Sequence, residues 1–176
     1  WVFRSFTADA LADDGEAHVL DAWFAHMADV QKRVGVVDPP VFHWSPAEAS
    51  NLESAFNAAR RRRHADRYWP VPAWFDFLHR VVKAEPFCVK GAMGFGLKAI
   101  GKALHAQGKI TTLWSDGPTD GQSAMVGAWC AAVECAASGT QLQQHALIKA
   151  IERYNEVDCR VMYEVIEYIR ALDADA

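Results

Sequence analysis

Apolar residues recur at steps of three and four along most of this chain and alternate with polar ones only over short stretches. The longest stripe runs Ile151, Tyr154, Asp158, Val161, Val165, Ile169 and Leu172, so these side chains share one face of a helix. A helix is also expected after Asp13-Asp14-Gly15-Glu16, whose acidic residues suit a helix start. Leu20, Trp23, Phe24, Met27, Val30 and Val34 form its apolar side, and Gly35 its stop. Ser45-Pro46-Ala47-Glu48 opens the next one: Ser caps, Pro suits the first helical position, and Glu48 completes a capping box by reaching back to the Ser45 N–H. Leu52, Phe56 and Ala59 give that helix its apolar side, and it ends in Arg60-Arg61-Arg62-Arg63-His64. Leu97, Ile100, Ala103 and Leu104 mark a further helix closed by Gly108; Met125, Trp129, Cys130 and Val133 mark another. Thr140-Gln141-Leu142-Gln143 is a second capping box, opening a long final helical region with a break before Tyr154. Strands are expected over 1–7, with Trp1, Phe3 and Phe6 apolar, and over 41–44, while 74–78 reads as a short strand or helix.

Composition narrows the class without naming a chemistry. A chain of 176 residues supports one domain, here 1–176, with a real core. Hydrophobic residues make up 51% and charged ones 23%, an ordinary globular mixture. The net charge of −4 argues against a generally basic nucleic-acid coat but leaves room for a local basic patch. Cys88, Cys130, Cys135 and Cys159 form no CxxC pair, which favours a reduced, cytoplasmic protein. No apolar run approaches the roughly 18 residues of a membrane span, and no signal peptide is visible. GxSxG, Walker, HExxH and GxGxxG patterns are absent.

The candidate chemistry begins with Asp158, a carboxylate on a face that should meet the core. Burying it unpartnered costs several kcal/mol or more, so either a metal ion or a Tyr, Arg or backbone donor compensates it. Tyr154 lies one turn earlier on the same face, able to orient water beside a cation at Asp158. Glu48 sits in the first turn of a helix that follows a buried strand, where α/β proteins often carry site residues; its capping role is the competing explanation. His43 can approach a phosphate or metal, or be a satisfied strand-end histidine. Asp76, between Phe75 and Phe77, reads as a structural hydrogen-bonded acid. Arg60, Arg61, Arg62 and Arg63, with His64 and Arg67, suit a phosphate backbone or a solvated helix C-terminus. Lys98 can neutralise a phosphate or lie idle at the surface.

Taken together, these segments resemble a known family. Residues 43–52 resemble the second exonuclease motif of the RNase H-like domain in RecB-family-like predicted nucleases, and residues 97–104 its "LK" helix. Asp116-Gly117 through Ala124-Met125 resembles the glycine-containing loop that follows. Arg153-Tyr154-Asn155-Glu156-Val157-Asp158 resembles the YxxxD third motif of DEDDy-type 3′–5′ exonucleases. The likeness runs from Trp1 to Leu172. It implies an α/β, ribonuclease H-like fold with a short mixed sheet flanked by helices, and Mg²⁺- or Mn²⁺-dependent phosphodiester hydrolysis of DNA or RNA. Under it, Glu48 and Asp158 are metal ligands, Tyr154 positions water, and His43 falls at a polar position of the second motif.

One departure carries weight. Such enzymes bear an Asp-x-Glu on their opening strand, whereas Asp14-Gly15-Glu16 falls at a helix start and residues 1–7 look like the family's third strand. The resemblance therefore implies a sheet lacking its first strands, a two-metal site short of ligands, impaired activity in this chain, and a free sheet edge able to pair with a second copy. The alternatives are a non-catalytic RNase H-like module that binds nucleic acid or a protein partner, and a helical structural domain unrelated to nucleases.

Overall fold

The computed structural model describes residues 1–62, 64–85, 87–115 and 121–174. Along the chain come α1 (Gly15–Val34), β1 (Val41–His43), α2 (Ala47–Arg62), β2 (Trp74–Asp76), a π-type turn (Leu78–Val82), α3 (Leu97–Ala106), α4 (Gly121–Ser138), a 3₁₀ turn (Leu142–Gln144) and α5 (Ala146–Ala174). Local chemistry accounts for several boundaries. Asp14 precedes α1, and Gly35 ends it in the left-handed conformation that a Cβ disfavours. The second capping box gives only the 3₁₀ turn; α5 then starts at Ala146, where the His145 ring accepts the Leu147 N–H at 3.2 Å.

The expected ribonuclease H-like α/β fold is overturned. Among the described residues 61% are helical and 4% in strands, and the two strands, three residues each, pair parallel as Val41 with Trp74, Phe42 with Phe75 and His43 with Asp76. Six residues cannot form a layer against which helices stack. The largest core cluster shows what replaces the sheet: Ile100 and Leu104 of α3, Val161, Val165 and Ile166 of α5, with Trp44, Phe77, Val82 and Ile110 packed around them. A second cluster holds Ala17 and Leu20 of α1 against Phe56 and Ala59 of α2 and Trp69. A third joins Ala131, Ala132 and Cys135 of α4 to Leu142 and Ile148.

The expected strand over 1–7 is also corrected: the segment has no regular structure. It runs as a strap antiparallel to α5. Trp1 stacks obliquely on Tyr163 at 5.4 Å between ring centroids, Ser5 and Thr7 donate to the Glu152 carboxylate at 3.0 and 2.9 Å, and Asp9 accepts the Leu142 N–H at 3.0 Å. The hydroxyls that interrupt the apolar pattern at Ser5 and Thr7 find their partner on a helix, so no sheet ladder is required.

Among the described residues no helix is long and apolar enough to cross a membrane. All four cysteines are free, and only Cys135 is buried.

Among the described glycines, the most crowded position is Gly101, where α3 meets α5. A Cβ added at Gly101 would come within 2.7 Å of Val161 Cγ1 and 3.1 Å of the Trp114 ring. Gly101→Ala should therefore destabilise the protein even though Ala is the better helix former by about 1 kcal/mol. Overpacking typically costs about 1–3 kcal/mol. The expected result is a lower midpoint in urea with unchanged m-value; a more stable variant would contradict this account of the seam.

Candidate functional site

Three segments converge beside the α3–α5 seam. Asp158, midway along α5, accepts a hydrogen bond from Trp114 Nε1 at 2.6 Å to Oδ1, and the Tyr154 hydroxyl one turn earlier also favours its anion. The Lys98 ammonium, in the first turn of α3, lies 4.8 Å from the centre of the Tyr154 ring and is close enough to favour the Asp158 anion. Glu48, in the first turn of α2, acts on the same carboxylate by like-charge repulsion, the weakest of these influences. Burial is the largest influence and drives the Asp158 pKa up; the Trp114, Lys98 and Tyr154 contacts pull it down, and repulsion from Glu48 adds to the rise. The net shift is upward, so the ionised form is held at a cost.

Glu48 is held by its own helix start, though not in the expected way. Ser45 Oγ donates to Glu48 Oε2 at 3.3 Å and accepts the Ala47 N–H at 3.4 Å. The contact is thus hydroxyl to carboxylate rather than carboxylate to backbone. His43 is buried, with Nδ1 2.5 Å from the Ser45 carbonyl and 3.9 Å from Glu48 Oε2, and its ring meets Trp74 edge-on at 5.3 Å. Though almost wholly buried, its ring borders the crevice beside the turn that carries Glu48. A crevice of about 680 Å³ borders this turn, with Leu20, Trp23, Phe42 and Leu52 in its wall and Glu48 and Cys159 among its polar members. Cys159 is exposed as a residue, yet crowding around the thiol and then the Asp158, Glu48 and Glu156 carboxylates raise its pKa, which suppresses the thiolate and any nucleophilic role.

Trp114 is itself fixed from α5. Glu164 Oε2 accepts the Thr111 and Thr112 N–H groups at 2.7 and 2.9 Å, and Oε1 accepts their hydroxyls at 3.2 and 2.5 Å. Partial burial opposes ionisation of Glu164, but the bonds from Thr112 and Thr111 prevail and its pKa falls. Neither Trp114 nor Glu164 is legible as a site residue in the sequence; a tryptophan in Thr111-Thr112-Leu113-Trp114 carries no spacing signal.

The remaining candidates are more dispersed. Arg62 pairs with Glu16 at 3.2 Å and Arg67 pairs with Asp21, so part of the basic run ties α2 and the segment after it to α1. Arg61 is exposed and Arg60 half-buried; Arg63 and the Asp116-Gly117 loop lie outside the described residues. Asp76 accepts the His79 N–H at 3.0 Å and its ring nitrogen at 2.8 Å, the structural role expected of it.

The donor chemistry of Glu48 and Asp158 suits one hard divalent cation, since Mg²⁺ is commonly held by one or two carboxylates and completes its shell with water and substrate oxygen. Among the described residues no group of three or more His, Cys, Asp or Glu side chains converges as a metal site. Comparison with family models, curated proteins and solved structures returned no match.

Two variants should report opposite signs of pH dependence. A raised folded-state pKa at Asp158 means a penalty that is absent below the unfolded value, near 3.9, and complete above the folded one. Asp158→Asn, which keeps an acceptor for Trp114, should therefore melt higher than wild type at pH 7, with the gap closing as pH falls toward 4. Glu164 has a depressed folded-state pKa, so its stabilisation is present above the unfolded value, near 4.3, and is lost as pH falls through the folded one. Glu164→Gln should cost about 1–2 kcal/mol at pH 7 and flatten the acid limb of the stability curve. Thermal melts from pH 3 to 8 measure both; a destabilised Asp158→Asn at neutral pH would refute the burial argument.

Proposed function

We propose that this chain carries the acidic pair of a divalent-cation-dependent phosphodiesterase acting on nucleic acid, of the 3′–5′ exonuclease type. The observation that carries the reading is the half-buried Asp158, which has Tyr154 and Lys98 beside it and feels like-charge repulsion from Glu48 on a helix far away in sequence. The site, not the fold, bears on this function, because the same chemistry recurs on unrelated folds. Burial and like charge that Trp114, Lys98 and Tyr154 offset only in part make this carboxylate a liability that a bound cation would relieve.

A Mg²⁺ or Mn²⁺ ion, when bound, neutralises phosphoryl charge and makes water more acidic. The chain's own groups do the rest. Trp114 holds one oxygen of Asp158 and so fixes its rotamer. The Tyr154 hydroxyl, which favours the Asp158 anion from the same face of α5, is suited to orient a water for in-line attack. Lys98, over the Tyr154 ring, offsets negative charge on a phosphate arriving at the same point. Exposed Arg61 and the half-buried Arg60 extend the positive surface at the end of α2 toward the rest of a polyanion.

A second reading, nucleic-acid or protein binding without hydrolysis, is favoured by the small size of the acidic group, two carboxylates with no third ligand among the described residues. One set of measurements separates the two. Mn²⁺ at ten times its Kd should stabilise wild type by about 1.4 kcal/mol and leave Glu48→Gln and Asp158→Asn unmoved. Single-stranded DNA and RNA labelled at the 5′ end should shorten in Mn²⁺, with the two variants at least about 100-fold slower, each losing a ligand. Salt-dependent binding of the same strands without shortening would move the conclusion to the second reading. Absence of any Mn²⁺-dependent shift in melting would remove the first.

A further inference from the structure

We propose that α4 is the interface of a weak homodimer in which two copies of this helix pack antiparallel about a two-fold axis. The apolar residues that mark α4 in the sequence do not face the core. Ala131, Ala132 and Cys135 do, against α5 and the 3₁₀ turn, while Met125 is 69% exposed, Val126 58%, Trp129 65% and Val133 53%. These four residues fall at steps of one, three and four and form one stripe on the outer side of the helix. The stripe is uncharged: Glu134 is the only ionisable acid or base in Gly121–Ser138 apart from the two cysteines, and it is taken by His145 at 2.9 Å. Depletion of charge around exposed aromatic and methionine side chains marks a contact surface rather than a solvated one.

Chemistry and shape select the occupant. A nucleic acid or an anionic membrane surface needs Lys or Arg, and α4 has neither. The stripe is bulky in its first half, at Met125, Val126 and Trp129, and small in its second, where Val133 is followed by exposed Ala136 and Ala137. An antiparallel copy sets bulk against small: Met125 meets Ala136 or Ala137, and Trp129 meets Val133. This is the self-complementary arrangement that a two-fold interface requires. With Trp129 alone contributing about 150 Å², the stripe amounts to on the order of 450 Å² per copy. Two facing stripes with their polar rim bury about 1,000 Å², the lower end for a specific contact and the range of a reversible, micromolar dimer. By contrast, each strand of the sheet offers an edge of only three residues. Cys130 flanks the stripe at mid-helix, so the two-fold brings both thiols to the same edge of the pair.

Sedimentation velocity of the full chain from a few micromolar to several hundred should show the sedimentation coefficient rising with concentration. Trp129→Glu, at an exposed position and with an unchanged circular dichroism spectrum, should remain a monomer throughout, with at least a tenfold weaker association. A short bismaleimide should link wild type into a covalent dimer and fail with Cys130→Ser, although Cys88 and Cys159 are also exposed. A monomer at every concentration overturns the proposal, as does a monomer that instead floats with neutral lipid vesicles. A dimer that persists in Trp129→Glu, or a cross-link indifferent to Cys130, overturns it equally by locating the contact elsewhere.

Discussion

The contact on which this architecture depends is the close approach of α3 to α5. Gly101 lets the two helix backbones come so near that Val161 and the Trp114 ring fill the space a side chain would take. From that contact the largest core cluster follows, because Ile100 and Leu104 can then reach Val161 and Val165. The site follows as well. Lys98 lies less than one turn before Gly101, and Asp158 less than one turn before Val161, so drawing the helices together also draws this cation to this anion. Packing and electrostatics are therefore set by one glycine, and a change that widens the seam would act on stability and site geometry together.

Asp158 shows how the fold manages a carboxylate it has half buried. Trp114, Tyr154 and Lys98 each lower its cost, and still its pKa lies above the ordinary range because burial outweighs them and Glu48 opposes them. Glu164, only six residues on, has the reverse balance: four bonds from two threonines overcome its burial. The two acids divide the labour along one helix. Glu164 fixes the segment that carries Trp114, and Trp114 fixes Asp158. A fold that spends binding groups on holding one acid tightly while leaving another under-compensated is one whose stability is not maximised at that second position, a familiar condition of functional sites.

Local signals in the sequence were dependable where the physics is local. The start of α1 at Gly15, its stop at Gly35, the start of α2 after Ser45-Pro46 and the extent of α3 all follow from caps, proline and three-to-four spacing. Segment 41–44 is indeed short and extended. The α/β expectation failed because two three-residue strands look, in sequence, like members of a larger sheet; only the absence of further partners distinguishes them. Residues 1–7 alternate well enough for a strand, but the partner for Ser5 and Thr7 is Glu152, a pairing across almost the whole chain that no periodicity reveals. In the site, Asp158 and Tyr154 were legible because a carboxylate on an apolar stripe breaks the pattern. Trp114 and Glu164 were not, since a tryptophan in a loop and a glutamate on a helix are ordinary until the fold sets them beside Asp158. At α4 the pattern misled in direction: Met125, Trp129 and Val133 lie on the open side, and small residues make the core contact.

The strap that binds residues 1–9 to the region 142–163 has a consequence for biogenesis. During synthesis residues 1–9 are made long before Glu152, Tyr163 and the Leu142 N–H that they bind. Until then Trp1, Ser5 and Thr7 lack their partners on α5, although Arg4 and Phe6 can already meet His26 of α1. Closure of the strap onto α5 therefore waits until α1 to α4 have been made, and its loop-closure entropy falls on that late stage.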